Sequence, residues 1–116
     1  MSDCTIYHNP RCSKSRATLA LLEERGVSPE IRLYLQDPPD VTELKGLLKK
    51  LGIPAAQLVR RGESEYKQSG LGPDSSEADL LAAMAAHPKL IERPIVVRGK
   101  RAVLGRPPEN VLAWTD

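Results

Sequence analysis

The stretch "CTIYHNPRCSKSRATLALLEERG", residues 4–26, decides the fold. Residues 4–8 read as a short strand, and the Asn9-Pro10 pair breaks it. From Ser13 onward, Leu19 and Leu22 with the small Ala17 and Ala20 suit a helix that stops at Gly26. Cys12 therefore falls at a strand-to-helix turn, with His8 four residues upstream and Arg11, Lys14 and Arg16 around it. The next stretch, "EIRLYL" at 30–35, alternates Ile31, Leu33 and Leu35 with polar or amphipathic neighbours, the period of two expected of a strand. The opening third is thus a βαβ unit, for which right-handed parallel pairing is favoured.

Beyond the breaker "QDPPD", Leu44, Leu47, Leu48 and Leu51 follow a helical period, with Asp40 and Glu43 resembling a capping box and Gly52 a stop. "PAAQLVRRG" predicts a shorter helix, and "SSEADLLAAMAAHP" another that starts near Ser75 or Ser76 and ends at Pro88. "PIVVRGKRAVL" is read as two strands turning at Gly99 and Lys100, and "GRPPENVLAWTD" as a turn and closing helix with Pro107 or Pro108 near its first position. The order is βαβ, helices, ββα. With 116 residues, no repeat and no linker-like shift in composition, one α/β domain over 1–116 is expected, carrying a helical insertion at about 40–88.

Hydrophobic residues at 41% and charged residues at 28% are ordinary for a globular chain, whereas 3% aromatics and no Phe imply an aliphatic core without a base-stacking surface. A formal charge of +2 is too small for a nucleic-acid or membrane footprint. No apolar run approaches the ~20 residues that span a bilayer, and the N-terminus lacks the apolar region of a signal peptide, so a cytoplasmic location is the expectation. Two cysteines are too few for a disulfide scaffold. If residues 4–8 are extended, Cys4 and His8 lie about 13 Å apart at roughly 3.3 Å per residue, which argues against a shared metal among Cys4, His8 and Cys12. The same geometry argues against a Cys4–Cys12 disulfide, and Cys4 reads as a small packing residue.

Only a thiolate is a strong sulfur nucleophile, and a helix N-terminus or neighbouring cations stabilise it. Cys12 has both in sequence, and the amides after it suit an oxyanion as well as the sulfur. The plain alternative is a cysteine preceding a solvated basic helix; the Asn9-Pro10 breaker and the helix start weigh against it. The fourth position of a C-x-x-C pair is Ser15, so a covalent intermediate on Cys12 requires an outside thiol, for which glutathione or a small redox protein is the natural candidate. The tyrosine-phosphatase spacing C-x5-R fails at Thr18. Arg60, Arg93 and Arg106 fall at element boundaries, where guanidinium forks suit a tetrahedral oxyanion; each alone reads as a surface residue.

"IYHNPRCSKSR", "LYLQDPP", "LVRRGESEYKQ", "HPKLIERPIVV" and "GRPPENVL" together resemble the glutaredoxin-dependent arsenate reductases, in order and over essentially the whole chain. The resemblance implies a thioredoxin-like fold with a helical insertion, and Pro94 as the cis-proline before the third strand. It places the nucleophile on Cys12, the assisting histidine on His8 and the oxyanion-binding arginines on Arg60, Arg93 and Arg106. Arg11, Lys14, Ser15 and Arg16 would lend electrostatic support. It further implies arsenate as substrate, glutathione as co-substrate and glutaredoxin as partner; a monomer with no metal or bound cofactor is expected. Ser13 and Lys14 depart from the small, glycine-containing sequence that follows the nucleophile in such enzymes. Two other readings use the same features: a glutathione-dependent thiol oxidoreductase on another substrate, and a redox-related adaptor of RNA polymerase, against which the absence of C-x-x-C counts.

Overall fold

β1 (Cys4–Tyr7) is flanked on both sides in a four-stranded sheet of order β2-β1-β3-β4, where β2 is Glu30–Arg32, β3 is Ile95–Arg98 and β4 is Arg101–Leu104. The structure is a computed structural model that describes residues 4–114, with side chains through Leu112. β1 runs parallel to β2, with Ile6 opposite Ile31, and antiparallel to β3, with Ile6 opposite Val96. Cys4, Ile6 and Tyr7 of this inner strand are buried. Arg98 pairs with Arg101 across a two-residue hairpin whose Gly99 has φ +61°, a left-handed conformation that side chains resist.

α1 (Ser13–Glu24) connects β1 to β2, and a closing 3-10 run, Pro108–Trp114, packs against it. Cys4, Ile6, Leu22, Val96 and Val111 form one buried cluster, with Leu19, Leu21, Val27 and Val103 packed around it. The sheet, α1 and the closing run thus share an aliphatic core. Burying each large aliphatic side chain contributes on the order of 1.5–3 kcal/mol.

Contacts divide the chain into two compact units: residues up to Asp37 with those from Arg93 onward, and Pro38–Glu92. The second is helical: α2 (Val41–Leu51), α3 (Ala55–Leu58), α4 (Ser64–Gln68), α5 (Glu77–Ala86) and a 3-10 turn at Pro88–Leu90. Asp40 caps α2 by accepting from the Glu43 N–H at 2.8 Å, and Gly52, at φ +70°, ends it. Ser76 caps α5 through the Asp79 N–H at 3.1 Å. α5 packs on α2, α3 and the 3-10 turn, burying Leu80, Leu81 and Met84.

The segment 30–35 departs from its expected strand. β2 ends at Arg32 because the Leu33 carbonyl accepts from the Gln36 and Asp37 N–H groups at 3.0 and 2.9 Å, closing a turn. The alternation survives with its faces reversed. Ile31, Leu33 and Leu35 are 48%, 37% and 38% exposed, while Tyr34 is buried. The "PAAQLVRRG" helix is a single turn, and the closing helix is 3-10.

Gly105 is required by a close approach. A Cβ there would lie 2.5 and 2.9 Å from Thr18 Oγ1 and Cγ2 and 2.8 Å from Pro94 Cγ. Thr18 Oγ1 shares its one hydrogen between the Lys14 and Gly105 carbonyls, at 2.8 and 3.3 Å, so the residue after β4 lies directly on α1. Gly105→Ala is expected to cost about 1–3 kcal/mol by overpacking. Urea denaturation checks this, and adding Thr18→Ala, which removes two of the three close atoms, should recover part of the loss.

Candidate active site

The loop after β1 is built by its own hydrogen bonds. The Cys12 N–H donates to the Asn9 carbonyl at 3.0 Å, the Arg11 N–H donates to Asn9 Oδ1 at 3.0 Å, and Arg16 Nη1 donates to the Pro10 carbonyl at 2.8 Å. Together these hold Cys12 at the N-cap of α1 in an extended conformation, φ −95° and ψ 123°. No side chain caps this helix, and its first turn contains no carboxylate. The first-turn amides and the helix dipole consequently favour an anion at Cys12. Cys12 is half-buried and free. Cys4, also outside any disulfide, is 2% exposed within the core cluster.

His8 and Ser15 are buried together, with Nδ1 of the ring 2.7 Å from Ser15 Oγ. Ser15 Oγ also accepts from the Asn9 N–H at 3.0 Å. A buried hydroxyl needs an acceptor for its own hydrogen, and among the described residues that acceptor is His8 Nδ1, which leaves the neutral ring's proton on Nε2. Burial, with the Arg16 charge adding to it, pushes His8 below its ordinary value of 6.5. The ring is therefore neutral at pH 7, a fixed polar group rather than a cation.

Between the lowered native value and 6.5, the unfolded chain binds the extra proton, so stability is full above 6.5 and falls as pH drops below it. Urea unfolding at pH 7.5 and pH 5.5 should show this loss, and His8→Gln should reduce it.

Arg93 and Arg106 meet in the same unit as Cys12. Arg106 Nη1 approaches the Arg93 carbonyl at 3.5 Å, and the Gly105 N–H donates to the Pro94 carbonyl at 2.9 Å. Both arginines precede cis-prolines, at Arg93–Pro94 and Arg106–Pro107. Because Thr18 of α1 bonds the Gly105 carbonyl, the Arg93 and Arg106 backbone is tied to the helix that starts after Cys12. Arg60 belongs to the other unit. Its N–H donates to the Leu90 carbonyl at 2.7 Å, and its guanidinium lies 3.4 Å from Glu63 and 3.6 Å from Glu92. Arg11, Lys14 and Arg16 are exposed.

The bond between Ser15 and His8 lay beyond sequence reasoning, as did the Thr18–Gly105 contact and the second cis bond. The one available signal was Ser15 itself, standing where a second cysteine would complete a redox pair. Among the described residues no His, Cys, Asp and Glu cluster is placed to hold a metal, and no helix is long and apolar enough to cross a membrane.

A sheet of order β2-β1-β3-β4, with a cysteine at the N-cap position of the helix after its first strand, is the arrangement of the thioredoxin-like proteins. Within that class the chain belongs to the ArsC family, whose pattern matches residues 7–114. It is 50% identical over 115 residues to an arsenate reductase of Neisseria meningitidis serogroup B, covering 97% of this chain and 98% of that one. It is 56% identical over 109 residues to the Escherichia coli K12 protein YfgD, covering 92% of each. The structure of an arsenate reductase from Vibrio cholerae superposes with a TM-score of 0.91 at 52% identity, covering 95% of both chains.

Proposed function

We propose that this protein is an arsenate reductase that uses Cys12 as nucleophile and glutathione with glutaredoxin as reductants. The observation that carries the reading is the uncapped, carboxylate-free N-terminus of α1 at Cys12, tied through Thr18 and Gly105 to the backbone of Arg93 and Arg106. Its membership of the ArsC family and its similarity to proteins named arsenate reductase support the substrate.

The first barrier is electrostatic, since an anionic sulfur must approach an anionic arsenate. Arg93 and Arg106 neutralise the arsenate oxygens, a part that the resemblance also gives to Arg60, and the first-turn amides of α1 receive the oxygen nearest the sulfur. The Cys12 thiolate then forms an S–As bond to arsenic(V) while one oxygen leaves as water or hydroxide. A glutathione thiolate attacks this arseno-cysteine, and glutaredoxin takes up the mixed disulfide. Overall, two thiols become one disulfide, the two electrons reduce arsenic(V) to arsenic(III), and arsenite leaves with one water. His8, neutral and fixed by Ser15, contributes the Nε2–H as a donor rather than a charge. Arg11, Lys14 and Arg16 strengthen the positive field around the anion.

The test is arsenate-dependent consumption of NADPH with glutathione, glutaredoxin and glutathione reductase supplied. Turnover that requires arsenate and both thiol reagents is the expected result. A Cys12 that alkylates rapidly at neutral pH in a protein without arsenate turnover would overturn it in favour of another thiol exchange.

A further inference from the structure

The loop that presents Cys12 also forms one side of a cleft of about 280 Å³. Asn9, Pro10 and Arg11 line it from the loop after β1, and Leu33, Leu35 and Gln36 from the turn after β2. His8 completes the lining. Two of these residues are the exposed leucines that the turn at 33–37 holds outward. Apolar side chains displayed in a recess beside a reactive group suit a ligand rather than solvent.

We propose that this cleft seats the resolving thiol, a small anionic peptide thiol of the glutathione class. The proposal rests on the reductase reading above and adds to it the place from which the reductant approaches. Three observations select the occupant. Cys4 is sealed in the core and Ser15 stands where a second cysteine would be, so an adduct on Cys12 is resolved from outside, beside the loop that carries it. The volume falls just below the ~300–1,000 Å³ typical of small-ligand pockets, which suits a short peptide and not a folded domain. The charge is complementary: Arg11 is exposed, makes no ion pair among the described residues, and suits a peptide carboxylate. Leu33 and Leu35 then face the ligand's methylene groups, and the Asn9 and Gln36 amides its peptide bonds.

The experiment titrates the 15N-labelled protein with S-methylglutathione, whose blocked sulfur prevents any redox step. Saturable shifts are expected at the amides of Asn9, Arg11, Leu33, Leu35 and Gln36. Leu35→Asp places a negative charge in the cleft at a surface position and should weaken this binding at least about fivefold, the sign expected of like-charge juxtaposition. Its other amide resonances, unchanged, show that it folds. In the coupled assay the same variant should raise KM for glutathione by a similar factor, and more than KM for arsenate. Absent shifts, shifts centred elsewhere, or an affinity unmoved by Leu35→Asp would overturn the assignment. So would shifts induced only by glutaredoxin, which would make the surface a protein-docking face. Arsenate turnover without S-methylglutathione binding would sink the cleft alone, whereas binding without arsenate turnover would sink the reductase reading and keep the cleft.

Discussion

Cys12→Ser should lower arsenate-dependent turnover by about 10⁴-fold or more, the scale on which removing a covalent nucleophile acts. A serine hydroxyl at the N-cap stays protonated at neutral pH and has no general base to activate it, because His8 Nδ1 is already committed to Ser15. Serine is also a favourable N-cap residue, so the helix should be kept or slightly strengthened. Arsenate binding, measured by calorimetry, is expected to persist within a few-fold, since Arg93, Arg106 and the first-turn amides are untouched. Sustained turnover in this variant would remove Cys12 from the mechanism. Loss of both turnover and anion binding would show instead that the thiolate itself organises the anion site.

Arg93→Ala should reduce kcat/KM for arsenate by about 10²–10³-fold, the usual loss when one donor to a developing oxyanion is deleted. The accompanying stability loss is expected to be about 1 kcal/mol, the central value for single substitutions. Arg93 is half-buried two residues before β3, next to Pro94 and with its carbonyl within reach of Arg106, so its removal lowers the charge available to an arsenate. Lys100→Ala provides the control for net charge, because Lys100 sits on the exposed hairpin turn and should change kcat/KM by less than about twofold through screened, long-range effects. If Arg93→Ala retained full turnover, the oxyanion would have to be held elsewhere, and the pairing of Arg93 with Arg106 would be structural.

Where the physics was local, residues and structure agree. The Asp40 cap, the Gly52 stop, the Ser76 cap and the Gly99–Lys100 hairpin each depend on a few neighbouring residues, and each forms as the pattern predicts. Cys12 falls at the strand-to-helix turn for the same reason: Asn9-Pro10 ends one element, and the helical pattern that carries Leu19 and Leu22 starts at Ser13. The segment 30–35 shows how a local pattern can mislead. Its alternation is real, but which face is buried depends on what packs there, and a turn at Leu33 leaves Ile31, Leu33 and Leu35 outward and Tyr34 inward.

By itself, then, the sequence determined the order of elements, the helix ends and the position of the reactive cysteine at a helix N-terminus, because caps, breakers and periodicity act over a few residues. Only the tertiary structure decided that Ser15 bonds a buried, neutral His8, that Gly105 meets Thr18, that Arg106 reaches the Arg93 carbonyl, and that two leucines line a cleft beside the loop that carries Cys12. Those facts depend on which chain segments are brought together across distances as long as the 87 positions between Thr18 and Gly105. Long-range contact of that kind has no signature in the spacing of residues along the chain.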